Sequence, residues 1–177
     1  MTAENKKIHV NTLKWYTRAE ALKAPHFPHY KREETEIMRK FLTKFDIVER
    51  ITFTVVFPIP EDIFYEFIAS ILEYYADIFH TPLAATPAFL TEEEVEMIAY
   101  NHALKADALA DVGDSYWLIE VKDRPRPSAL GQLLCYKEAL HDSYWLDKPV
   151  QMVLVADYDY PHVRRIIERF GVRVIIV

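Results

Sequence analysis

The sequence predicts an α/β fold organised around a mixed β-sheet, and three observations carry that expectation. Residues 105–121 read as two strands joined at Gly113-Asp114, a hairpin. Residues 128–177 then run helix, strand, helix, strand, the order that lays parallel strands beside an antiparallel pair. Upstream, residues 33–79 set one strand between two helical periodicities.

Composition bounds the class. The chain has 177 residues, 51% hydrophobic and 27% charged, with a formal net charge of −6. That apolar content can offset chain entropy, so a disordered chain is excluded, and the length suits one compact domain. No apolar run approaches the ~20 residues that span a bilayer, and MTAENKKIHVNTLKW lacks the apolar stretch of a secretory signal. The expectation is an intracellular, cytoplasmic protein with no membrane partner. Cys135 is the single cysteine, which excludes an internal disulfide framework and a Cys-ligated zinc or iron–sulfur centre within one chain. Residues 1–50 carry 11 basic and 7 acidic side chains (+4), residues 51–121 carry 1 and 13 (−12), and residues 122–177 carry 9 and 7 (+2). This layout does not suit a protein that coats nucleic acid through a broad cationic face. It suits a compact acidic site flanked by cationic arms.

The elements follow in order. Pro25 and Pro28 break regular structure in the basic, aromatic first thirty residues. Ile37, Met38, Phe41, Leu42 and Phe45 recur at helical spacing over 33–45. Ile51, Phe53, Val55 and Phe57 alternate in a strand over 50–57 that Pro58 and Pro60 close. Residues 61–79 form an amphipathic helix with Ile63, Phe64, Phe67, Ile68, Ile71, Leu72 and Tyr75 in its buried stripe. A loop over 80–90 follows. Thr91 with Glu94 is a capping-box signature for a helix to about Tyr100. Ser128 caps a helix to about His141, residues 151–156 form a buried strand, residues 161–170 a helix stopped by Gly171, and residues 172–177 a last strand. Residues 1–90 are expected as a largely helical extension with one strand, packed on an α/β core of residues 91–177.

The hairpin carries the sharpest chemistry. Glycine followed by Asp fits a two-residue type II′ turn. The register that follows sets Val112 opposite Ser115 and Asp107 opposite Glu120. Opposed Cβ atoms lie roughly 4.5–5.5 Å apart, so two carboxylates project side by side and repel. A divalent cation reverses the sign of that interaction, since Mg²⁺ takes one or two carboxylates and completes its shell with water and phosphate. Lys122, two residues past Glu120, shares its face, while Trp117, Ile119 and Val121 turn into the core. The same register sets Lys105 opposite Lys122, unless Lys105 lies beyond regular pairing. Gln132 and Tyr136 stand one turn apart on a common helix face.

Ala106-Asp107, Ile119-Glu120-Val121-Lys122 and Gln132-Leu133-Leu134-Cys135-Tyr136 together resemble the active-site pattern of the PD-(D/E)XK nuclease superfamily. The Gln-x-x-x-Tyr element resembles its RecB-type exonuclease branch. The motifs cover residues 105–140. This resemblance implies a restriction-endonuclease-like three-layer sandwich and a metal-dependent hydrolase of phosphodiester bonds, acting on nucleic acid, DNA before RNA. It implies Mg²⁺ or Mn²⁺ held by Asp107, Glu120 and the Val121 carbonyl, Lys122 assisting the attacking water, and Gln132 and Tyr136 organising the site. Relatives often add an upstream acid or histidine, for which Glu94, Glu96 and His102 are the candidates. Ala106 replaces the nominal proline. The cluster-binding cysteines of some relatives are missing, and no Walker-type motor sequence accompanies the site. An inactive nuclease-fold module for nucleic-acid binding or assembly is the alternative, and a protein partner or homodimer stays open.

The remaining features carry less. Seven histidines include no His-x-x-x-His pair, and His26 and His29 fall in a Pro-rich loop. Cys135 has no histidine partner or nucleophile elbow and is expected as a small packing residue. The basic, aromatic N-terminus is either a nucleic-acid contact or a structural arm.

Overall fold

The computed structural model describes residues 7–59, 63–79 and 91–177. Residues 7–55 together with 105–177 form one compact unit, and residues 56–104 form a second. The boundaries therefore fall at 55/56 and 104/105, where the sequence placed one near residue 90. The upstream segment supplies strands and two helices to the same sheet unit as the C-terminal half.

In the larger unit, two short strands, β1 (Ile8–His9) and β2 (Tyr16–Thr17), precede helix α1 (Arg18–Lys23) and helix α2 (Arg32–Lys44). Strand β3 (Arg50–Phe57) follows. The smaller unit holds α3 (Phe64–Phe79) and α4 (Glu92–His102). The chain then continues with β4 (Leu104–Asp111), β5 (Tyr116–Lys122), α5 (Pro127–Ser143), β6 (Tyr144–Trp145), β7 (Val150–Ala156), α6 (Pro161–Glu168) and β8 (Arg173–Ile176). Six strands form a mixed sheet in the order β2-β3-β4-β5-β7-β8, and β1 pairs with β6 separately. The β2–β3 and β4–β5 pairs are antiparallel, and β5–β7 and β7–β8 are parallel. Each parallel pair is joined through a helix, as parallel strands require a crossover.

Helices cover both faces of the sheet. Ala108, Ala110, Trp117, Ile119, Val121, Val153 and Val155 pack in one cluster with Ile37, Met38, Phe41 and Leu42 of α2. Those α2 residues are the predicted stripe, and Phe45 packs against the cluster from the helix end. The alternate β5 residues Tyr116, Leu118 and Glu120 are buried as well, so they project into the opposite layer, where α5 buries Ala129, Leu133, Tyr136 and Leu140. Neither face of the central strand meets water.

Local chemistry accounts for the element ends. Gly113 has φ of 91° and is the one positive-φ residue of the turn, which identifies type II′, and Val112 N–H donates to Ser115 O at 3.1 Å. Gly171 stops the α6 segment at φ 76°. Thr91 and Glu94 close the predicted capping box, and α4 runs two residues past Tyr100. Ser128 is not the cap of α5: Arg126 is, with extended backbone, because Pro127 at the first helical position forces its predecessor out of the helical region. The Arg126 side chain instead forks onto Asp123, at 3.0 and 2.8 Å.

The smaller unit holds Ile68 of the predicted α3 stripe buried, Ile63 exposed, and the Phe67 ring 6.1 Å from the His102 ring. The loop expected over 80–90 lies outside the described residues. The N-terminal arm packs structurally: the Trp15 ring stacks on Tyr116 at 6.0 Å and lies under the Arg50 guanidinium at 4.5 Å. Among the described residues no helix is long and apolar enough to cross a membrane.

Candidate active site

The β4–β5 register is the one the turn dictates, from Asp111↔Tyr116 to Ala108↔Ile119. Asp107 and Glu120 are the next opposed positions. There the ladder stops, so Lys105 is not a register partner of Lys122. Continued pairing would have given the Val121 N–H to the Ala106 carbonyl. Instead the Val121 N–H donates to Asp107 Oδ2 at 2.7 Å. The aspartate carboxylate thus ends the antiparallel pairing and is itself fixed by a main-chain donor.

Glu120 is 1% exposed. The Lys122 ammonium donates to its Oε1, but its Oε2 is buried without a hydrogen-bond partner. Burial pushes the Glu120 carboxyl up to about 8, and repulsion from Asp107 adds to this against the pull of Lys122. Burial also raises Asp107, opposed by the Val121 N–H and by Lys122. The two carboxyls lie close enough to share a proton. A buried acceptor left unmade costs about 1–3 kcal/mol. That cost disappears when a proton or a cation occupies the pair.

The helix α5 adds Gln132 and Tyr136, whose spacing the sequence set on one face. Gln132 Nε2 donates to the Tyr136 hydroxyl at 3.1 Å. Burial and then the Glu120 charge push the Tyr136 phenol up to about 12, so it faces the acid pair as a neutral group. A cleft of about 360 Å³ opens beside Lys122 and Gln132 and is lined also by Lys31, Glu34, Arg126 and Ser128. A second cleft, of about 400 Å³, shares Glu33, Ile37 and Asp123 with it and extends the groove past Lys40 and Asp157.

One residue near the pair escaped the sequence reading. Glu34, in the first turn of α2, raises the carboxyl of Asp107. The only sequence signal for Glu34 is its helix-start position, where its carboxylate accepts the Lys31 N–H at 2.8 Å. The three upstream candidates belong to the smaller unit, where Glu94 is engaged by Thr91. Cys135 is exposed, contrary to its expected packing role, because the buried face of α5 runs through Ala129, Leu133, Tyr136 and Leu140.

Glu120 Oε2 beside Asp107 is a donor set that suits a hard divalent cation, which takes one or two carboxylates and fills its shell with water. Among the described residues no group of three or more His, Cys, Asp or Glu side chains is set to hold an ion. Family models, curated proteins and solved structures yield no match to the chain.

Proposed function

We propose that this protein is a divalent-metal-dependent nuclease with a restriction-endonuclease-like core, hydrolysing phosphodiester bonds of nucleic acid, DNA before RNA. The observation that carries this reading is the buried carboxylate pair with an unpartnered oxygen, whose lysine partner Lys122 lines a groove. The ordered motifs that resemble PD-(D/E)XK nucleases agree with it. Asp107, Glu120 and the Val121 carbonyl would hold Mg²⁺ or Mn²⁺. When bound, the ion polarises the scissile phosphate and lowers the pKa of its water. Glu120 keeps the Lys122 ammonium at the carboxylates, where it orients the nucleophilic water and offsets charge growing on phosphate oxygens. Gln132 holds the Tyr136 hydroxyl, so the wall facing Glu120 is a fixed dipole.

Cleavage of linear, circular and single-stranded DNA in Mg²⁺, Mn²⁺ or chelator tests the assignment. Asp107→Ala and Glu120→Ala are each expected to lose about a thousandfold in rate, the several kcal/mol a metal supplies, with circular dichroism unchanged. Lys122→Ala is expected to lose about a hundredfold and keep Mn²⁺ binding by calorimetry. If all three cut like the parent, the nuclease reading is wrong. A parent that binds nucleic acid but neither Mn²⁺ nor turns over is the inactive module.

A further inference from the structure

We infer that Tyr158 is a nucleobase platform of this site: its ring stacks on an unpaired base of the bound strand, one step along the groove from Lys122. The inference rests on the nuclease reading. It adds a strand contact that the hairpin and α5 motifs do not supply, and it commits the groove to an unpaired strand.

The sheet brings Tyr158 to the groove. Strands β5 and β7 run parallel with Lys122 beside Ala156, so the residues that follow each strand leave the sheet side by side. Ligands of open α/β sheets bind outside the carboxyl ends of parallel strands, and Lys122 and Tyr158 both stand at that end. The Tyr158 and Asp157 N–H groups donate to the Asp123 carbonyl at 2.9 and 3.2 Å. The segment after β7 is thereby fixed to the residue that follows Lys122. Asp123 lines both clefts of the groove, and Tyr158 lines the one that leads away from Lys122.

Two features of that cleft favour a base over a phosphate. Tyr158 is 67% exposed, more than any other large apolar residue among the described residues. A lone exposed tyrosine is ordinary on a protein surface. This one is held by its backbone at the wall of a cleft of about 400 Å³, and its short side chain loses little freedom when a flat partner covers it. The cleft also carries Glu33, Glu36, Asp123 and Asp157 against one cation, Lys40, which Asp157 already holds. Such a wall repels a phosphodiester backbone, whereas its carboxylates accept hydrogen bonds from the amino groups of bases. The neighbouring cleft is balanced, with Lys31, Lys122 and Arg126 against Glu33, Glu34 and Asp123. Phosphate is admitted beside Lys122 and a base beyond it. A duplex keeps its bases in the stack and presents phosphates to both clefts, so the unpaired strand is the better fit. Because every base has a π-face, this contact does not select sequence.

Tyr158→Ala removes the platform and Tyr158→Phe keeps it. Binding is measured in Ca²⁺ to a short single strand, to the same strand made abasic, and to a blunt duplex of the same sequence, with the urea midpoint alongside. Tyr158→Ala is expected to bind the single strand about tenfold more weakly than the parent, within the range of base–aromatic stacking. On the abasic strand and the duplex it should match the parent, with an unchanged midpoint. Tyr158→Phe should match the parent on every substrate. Equal single-strand affinity of Tyr158→Ala and the parent overturns the inference. A loss of the same size on the abasic strand or the duplex overturns it too, since the tyrosine would then serve the backbone. A parent that binds the strand through Tyr158 but does not cleave removes the nuclease reading alone. A parent that binds no strand removes both.

Discussion

At the turn end of the β4–β5 hairpin, Asp111 is 2% exposed and accepts from Arg50 Nε at 2.9 Å, Lys148 Nζ at 2.7 Å and Gly113 N–H at 3.1 Å. At the open end, Glu120 is as deeply buried, yet Lys122 meets one oxygen and nothing meets the other. Burial is the largest influence on both carboxyls and pushes both upward. At Asp111 three donors outweigh it and hold the group below its ordinary range, whereas Glu120 rises to about 8. Depth alone does not decide the state of a buried acid; the donors that reach it do. One end of the hairpin is a finished structural joint, and the other keeps one buried acceptor unmet.

The contrast gives opposite responses to acid. The stability Asp111 contributes is present above the ordinary aspartate pKa and is lost as pH falls through its depressed folded value. Glu120 behaves inversely. Between its ordinary value of 4.5 and about 8 the folded state keeps a proton that the unfolded chain has lost, so stability falls as pH rises through that window.

The largest effect is expected at the finished end. Asp111→Asn leaves Arg50 and Lys148 without their shared anion, and a loss of about 3 kcal/mol by urea denaturation is expected from breaking a buried ion pair. A loss below about 1 kcal/mol would show that the joint is not electrostatic. Next comes Glu120→Gln. The parent's stability is expected to fall between pH 5 and pH 8 with a slope approaching about 1.4 kcal/mol per pH unit, and the variant is expected to lose most of that slope. Near pH 8 the variant should be more stable than the metal-free parent by on the order of 1–2 kcal/mol. An unchanged slope would remove Glu120 as its source. The smallest effect concerns the turn that links the two ends. Gly113→Ala forces an alanine to φ 91° and brings its Cβ to 3.2 Å from Glu49 Oε1, so a loss of about 1 kcal/mol is expected. A neutral result would mean that the register is set by the core rather than by the turn.

Much of this hairpin was readable before folding. Glycine followed by Asp selects one turn type, the turn selects the register, and the register puts residues 107 and 120 opposite each other. Period 2 placed Lys122 beside Glu120, and period 3.6 placed Gln132 one turn from Tyr136. What escaped was of another kind. The α5 cap moved from Ser128 to Arg126 because one proline outweighed a good capping side chain. The outward turn of Cys135 depended on which α5 face met the sheet. The division into units depended on β2, β3 and α2 joining strands far along the chain.

The sequence by itself determined the longer helices and strands from residue 33 onward, the hairpin register and the composition of the acid, lysine, glutamine and tyrosine group, because turn chemistry and periodicity act between near neighbours; the short β1, β2, β6 and α1 escaped it. Only the tertiary structure decided that Glu34 stands by that group, that Asp107 ends the ladder on the Val121 N–H, and that one glutamate oxygen is sealed away without a donor. Those outcomes depend on how α2 and α5 pack over the sheet, and burial of that kind is a property of the whole core that no local pattern encodes.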